Sequence, residues 1–188
     1  MAKVEGVWKG KKWFDLRGPD IFKKKDLGET ASSNPDELMG RTLSVRLTDL
    51  VSNTNKYFYK IILKINEVED GKAKTKFIGH DCSKDAIYRM VRRGIRRIDS
   101  RDVVETKDGV KIVVKTIAIS LKKVTSSIKS SIRKAVSDSV KKRVSKMTLE
   151  EFVNNMIKNN LQNKIRDDVS KTYPLRNLEV RKSEVLED

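Results

Sequence analysis

The chain has 188 residues, of which 42 are Lys or Arg and 26 Asp or Glu, giving a formal net charge of +16. One cysteine, Cys82, excludes an intramolecular disulfide framework, and no apolar run approaches the ~20 residues of a membrane span. The basic excess points to a polyanionic partner, nucleic acid first and an anionic membrane surface second, while 37% hydrophobic residues exclude a wholly disordered chain.

Residues 1–36 read as a basic, aromatic N-terminal extension. Lys9, Lys11 and Lys12 surround Trp8 and Trp13, and Lys23, Lys24 and Lys25 follow Phe22. Gly18-Pro19 and the polar stretch 29–35 break regular structure. The lysines suit RNA phosphates, and the rings of Trp13, Phe14 and Phe22 suit anchoring the segment to a core, although exposed rings could also stack on bases.

Residues 37–188 read as one globular α+β domain. Leu43, Val45 and Leu47 alternate with polar residues, as do Tyr57, Tyr59, Ile61, Leu63 and Ile65 further on, with residues 52–55 as a turn between them. Asp70-Gly71 and Asp108-Gly109 signal hairpins. Val110–Ile119 is apolar on both faces and reads as a central strand. The strand core at about 41–120 is thus a mainly antiparallel, barrel-like sheet with one inserted helix.

The inserted helix starts at Ser83, with Asp85 in its first turn and Ile87, Met90 and Val91 on its apolar face. It ends at Gly94 or continues toward Ile98. Arg89, Arg92, Arg93 and Arg96 fall opposite the apolar face, with Arg97 beside them. A solvated basic face would also look like this.

The final third reads as two helices at about 126–165 and a last strand at about 175–182. Ser126 or Ser127 caps the first, whose Ile128, Ile132 and Ala135 share a face, and it could bend at residues 137–139. Thr148 and Glu151 form a capping-box pattern at the start of the second. The acidic tail 184–188 reads as frayed.

Nothing in this pattern argues for catalysis. His80 is the sole histidine, and His80-x-Cys82 offers two zinc ligands where a structural site needs four. No phosphate-binding glycine loop is present. The expectation is a non-enzyme with no metal, cofactor or small-molecule substrate and no membrane association; a nuclease using two distant acidic residues is the remaining catalytic alternative.

The order of KKWF (Lys11–Phe14), GET (Gly28–Thr30), Gly40-Arg41, TDL (Thr48–Leu50), TKFIGHD (Thr75–Asp81), VRRGIRRID (Val91–Asp99) and VVETKDG (Val103–Gly109) resembles the archaeal/eukaryotic small-subunit ribosomal protein family S three Ae, also called the eukaryotic-type S one family. The basic helix from Thr125 to Val136 and the ending YPLRNLEVRKSEVLE resemble it too, so the likeness runs from about residue 8 to 186 and looks archaeal. It implies a β-barrel-like core with flanking helices on the subunit platform. It also implies contacts with small-subunit rRNA near its 3′ end and the mRNA exit, beside neighbouring ribosomal proteins, in the cytoplasm. The RNA-binding candidates are Lys9, Lys11, Lys12, Lys23, Lys24, Lys25, Arg89, Arg92, Arg93, Arg96, Arg97, Lys122, Lys123, Lys129 and Arg133. The alternative is a free RNA-binding chaperone or translation regulator.

Overall fold

A computed structural model describes residues 11–51 and 56–186. The chain divides into two compact units, Met1–Val45 with Ile62–Phe77, and Arg46–Ile61 with Ile78–Asp188. Trp8, Lys9 and the expected turn at 52–55 lie outside the described residues.

In the first unit β1 (Lys12–Arg17) pairs antiparallel with β2 (Asp26–Ser32), Phe14 facing Thr30. The stretch read as an extension carries two strands: the chain does break at Gly18-Pro19, but β2 runs through residues 29–32, where a break is expected. Phe14 and Leu16 point inward at a spacing of two, and they pack with Leu38, Ile65 and Ala73 in a small core. β3 (Thr42–Arg46) pairs with β4 (Tyr59–Glu69), and β5 (Lys72–Cys82) returns from β4. The connection is the two-residue turn read from the sequence. Asp70 (φ 47°) and Gly71 (φ 75°) are both left-handed, as a turn matching the twist of the strands requires.

In the second unit, the C-terminal part of β5 pairs antiparallel with β8 (Leu175–Val185), β8 with β7 (Lys111–Ser120), and β7 with β6 (Arg97–Glu105). β7 is central, as its two apolar faces predict. The strands form an open, mostly antiparallel sheet: among the described residues β6 pairs only with β7, and no strand closes it into a barrel. β8 is longer than expected, since Ser183–Val185 pair with Ile112–Val114, so Glu184 and Val185 of the tail expected to fray enter the sheet, while residues 187 and 188 lie outside the described residues.

Five α-helices complete the described residues. A four-residue turn, α1 (Leu47–Leu50), takes Leu47 from the expected strand and buries it. α2 (Lys84–Met90) is the inserted helix. α3 (Ser126–Val144) runs unbroken through Ser137–Ser139, and Thr125 takes the N-cap position. It packs on β6 along Ile132, Val136, Val140 and Val144, which leaves Ile128 exposed. The Ser137 hydroxyl donates to the buried Asp102 carboxylate of β6.

Two helices, not one, follow α3: α4 (Leu149–Ile157) and α5 (Asn160–Ser170). Asn159 separates them at φ 62°, a conformation asparagine tolerates and one that ends a right-handed helix. The capping box is present. Thr148 Oγ1 accepts from the Glu151 amide at 3.2 Å, and Glu151 Oε2 accepts from the Thr148 amide at 3.1 Å. Among the described residues no helix is long and apolar enough to cross a membrane.

Candidate nucleic-acid interface

α2 stops earlier than its arginine pattern implies. Val91 is its extended C-cap, and Gly94 (φ 80°) turns the chain three residues later. The cause lies in β7. The Ser120 amide donates to the Arg96 carbonyl at 3.0 Å, and the Arg96 amide donates to Ser120 Oγ at 2.9 Å. Ile98, buried, pairs with Ala118. This ladder claims residues 96–98, so no helix can extend through them. Only Arg89 belongs to α2; Arg92, Arg93 and Arg96 lie on the connecting loop, and Arg97 opens β6.

The five arginines are not equivalent. Arg89 Nε donates to the Asp85 carbonyl at 3.2 Å, and Arg97 Nε and Nη2 both donate to Asp99 Oδ1, at 2.9 and 2.8 Å. The guanidiniums of Arg92, Arg93 and Arg96 are exposed and meet no acceptor among the described residues. These three can bind an anion without first leaving a protein partner.

The fold brings distant basic residues to this loop. Ser120 Oγ, bonded to Arg96, also donates to the Lys122 carbonyl at 2.6 Å, which fixes where exposed Lys122 and Lys123 leave β7. Arg133 Nε of α3 donates to the Asp99 carbonyl at 3.0 Å. Asp99 thus holds Arg97 through its carboxylate and Arg133 through its backbone. Arg96, Arg97, Lys122, Lys123 and Arg133, spread over 38 positions of sequence, collect around two small polar residues, Asp99 and Ser120. Half-buried Lys129 lies one turn before Arg133 on α3. Arginine forks and lysine ammoniums gathered in this way suit a phosphate backbone.

The remaining candidates lie in the first unit. Lys12, Lys23, Lys24 and Lys25 are exposed and Lys11 half-buried; Lys24 pairs with Asp20 at 3.1 Å. Phe14 and Phe22 are buried as expected, whereas Trp13 is 64% exposed on the outer face of β1. Trp13 therefore does not anchor the segment: in a strand whose Phe14 and Leu16 point inward, it must point out.

His80 and Cys82 are poorly suited to metal. His80 is fully buried, with Nε2 donating to the Val180 carbonyl at 3.1 Å and Nδ1 accepting from Ser183 Oγ at 2.6 Å. The Cys82 thiol is pushed up to about 12 by burial, reinforced by the Glu179 and Asp81 charges. Among the described residues no three His, Cys, Asp or Glu side chains gather where they could hold a metal ion.

Two features escaped the sequence. One is a buried polar network of Lys56, Tyr59, Gln162 and Glu179, drawn from segments more than 100 residues apart. The other is a cavity of about 390 Å³ lined by Asp138, Ser139, Lys142, Arg143, Lys146, Met147 and Asp168. Its Arg143 is committed to Asp168 through Nε at 2.9 Å and Nη2 at 2.6 Å. That pairing, helped by Ser139, holds the Asp168 carboxyl below its ordinary range. The Arg143 charge in this cavity is thus already met by Asp168.

A sequence model described as the Ribosomal S3Ae family matches residues 1–188. The chain belongs to this family. Among its relatives, the small ribosomal subunit protein eS1 of Methanothermobacter thermautotrophicus is 33% identical over 186 residues, covering 99% of this chain and 95% of its own. The protein of that name from Methanobrevibacter smithii is 32% identical over 98% of this chain and 95% of its own. That of Methanopyrus kandleri is 32% identical over 98% and 90%. A ribosomal S3Ae member is a structural protein and not an enzyme.

Proposed function

We propose that this chain is a structural constituent of the small ribosomal subunit, in the cytoplasm, and that it binds small-subunit rRNA. The relatives named small ribosomal subunit protein eS1 support the assembly, and the gathering of Arg96, Arg97, Lys122, Lys123 and Arg133 around Asp99 and Ser120 supports the contact. That gathering carries the reading, because it places separate basic segments where one phosphate backbone can meet them. Arg92 and Arg93 on the loop provide the exposed cations, and Lys12 and Lys23–Lys25 of the first unit add further phosphate contacts. Binding releases counterions and reads A-form RNA through its backbone and 2′-hydroxyls. The site on the subunit is the platform near the rRNA 3′ end and the mRNA exit, with other ribosomal proteins as neighbours.

Sedimentation of a cell extract carrying the tagged chain tests this. At moderate salt the chain is expected in the small-subunit fractions. Recovery only in the soluble fractions would overturn the proposal and favour a free RNA-binding chaperone or translation regulator.

A further inference from the structure

Tyr88 is 67% exposed on α2, although Ile87 beside it is buried. A tyrosine ring at that exposure contributes little to a core. It stands at the wall of a small open hollow of about 90 Å³, lined also by Lys84, Ile87, Arg97 and Arg181. Lys84 and Tyr88 are four residues apart and share a face of α2. Arg97 is held in place by its two bonds to Asp99.

Arg181 reaches the hollow through a break in strand register. Lys115 of β7 faces Lys182, but the next residue, Thr116, faces Val180. Arg181 is the extra residue of a β-bulge, a device that re-aims a side chain. Neither Lys84 nor Arg181 has a side-chain acceptor among the described residues. The hollow therefore combines an apolar floor, an exposed aromatic wall, one braced guanidinium and two uncommitted cations.

This combination fits a nucleotide. A base gains by stacking on an exposed ring, and the attached phosphate gains from the cations. The hollow is too small for a duplex groove. An acidic peptide would use the cations but has no need of the ring. Arg97 also belongs to the basic end described above, so an RNA chain bound there continues into the hollow. We propose that the hollow around Tyr88 takes one unpaired nucleotide of RNA, with the base stacked on Tyr88 and the phosphate between Lys84 and Arg181. The proposal rests on the RNA-binding reading of the preceding section.

Fluorescence titration of the full chain with a short oligouridylate, and with an RNA hairpin that lacks unpaired ends, tests it. Tyr88→Ala is expected to weaken oligouridylate binding about tenfold, the loss of one base stack, and to leave hairpin binding and melting temperature unchanged. Tyr88→Phe keeps the ring and is expected to bind as the parent does. Arg181→Ala is expected to weaken oligouridylate binding as well. If Tyr88→Ala binds oligouridylate like the parent while Arg92→Ala with Arg93→Ala weakens both RNAs, the hollow is not a nucleotide site, though the RNA reading stands. If the parent binds neither RNA, both fall. If oligoglutamate competes for the hollow as well as oligouridylate does and Tyr88→Ala weakens both equally, the site takes acidic peptides and the proposal is overturned.

Discussion

Tyr59 and Glu179 lie 120 positions apart in sequence, yet the Tyr59 hydroxyl donates to Glu179 Oε2 at 2.7 Å. Lys56 completes the arrangement. Its ammonium donates to Tyr59 Oη and the Met156 carbonyl, each at 3.0 Å, and lies 3.4 Å from Glu179 Oε2. It also sits 4.2 Å from the centre of the Tyr59 ring. Burial pushes Lys56 down from its ordinary value, with Glu179 opposing, and pushes Tyr59 well above its own, with Glu179 reinforcing. Glu179 is thus the counter-charge for an ammonium whose side chain is only 3% exposed. Glu179→Gln keeps the shape and removes the charge. It is expected to cost about 3–5 kcal/mol, because it leaves a buried cation uncompensated. The double variant Lys56→Met with Glu179→Leu is expected to recover much of that loss. Urea unfolding of the three proteins checks both; a Glu179→Gln loss below about 1 kcal/mol would show that Lys56 needs no counter-charge.

His80 makes stability depend on pH in a definite direction. Its Nε2–H serves the Val180 carbonyl, which can only accept, and in the neutral ring that burial favours, Nδ1 accepts from Ser183. Burial lowers its pKa to about 4, against an ordinary value of 6.5. Between these values the unfolded chain binds a proton that the folded chain does not. Stability contributed by neutral His80 is therefore full above about pH 6.5 and lost as pH falls toward 4, by up to about 3 kcal/mol. His80→Gln is expected to flatten the stability profile across this window relative to the parent. Identical profiles would mean that His80 is not held neutral.

Much of this architecture was legible because it is local. Asp70-Gly71 dictates a two-residue turn, and Thr148 with Glu151 dictates a helix start; both needed only neighbouring residues. The apolar doublet Val113-Val114 announced a strand buried on both faces. The errors came where distant partners decide. Nothing between Arg89 and Arg97 says that Ser120 will claim Arg96, so the arginines looked like one helix face instead of a loop. Trp13 looked like an anchor because the alternation of Phe14 and Leu16 was hidden among lysines and glycines. At the candidate site the basic residues could be named, but not their grouping around Asp99 and Ser120. Tyr88 and Arg181 were missed because neither exposure nor a strand bulge leaves a mark in the chain.

Gly79 shows how tightly β5 lies against β8. A Cβ there would stand 2.3 Å from the Ser183 carbonyl oxygen, and Ser183 is also the partner of His80. The obstacle is backbone, so no rotamer change can relieve it. Gly79→Ala is expected to force the two strands apart and to cost at least about 1–3 kcal/mol. Thermal unfolding measures the loss, and an unchanged melting temperature would mean that the sheet yields without cost.

Arg92 and Arg93 are the cleanest test of whether exposed cations on the α2–β6 loop meet phosphate. Neither is tied to the protein, in contrast to Arg97 at Asp99 Oδ1 and Arg133 at the Asp99 carbonyl. Replacing both with alanine leaves every bond that holds the fold in place, so stability is expected to stay within about 0.5 kcal/mol of the parent. Affinity for rRNA is expected to fall. The slope of log affinity against log salt is expected to become shallower by roughly one for each phosphate the variant no longer neutralises. Arg133→Ala differs in kind, because it also frees the Asp99 carbonyl and loosens α3 from β6, and some loss of stability is expected alongside weaker binding. A steep fall in melting temperature for the Arg92 and Arg93 variant, with affinity and salt slope intact, would make those arginines structural and shift the RNA contact elsewhere on the basic end.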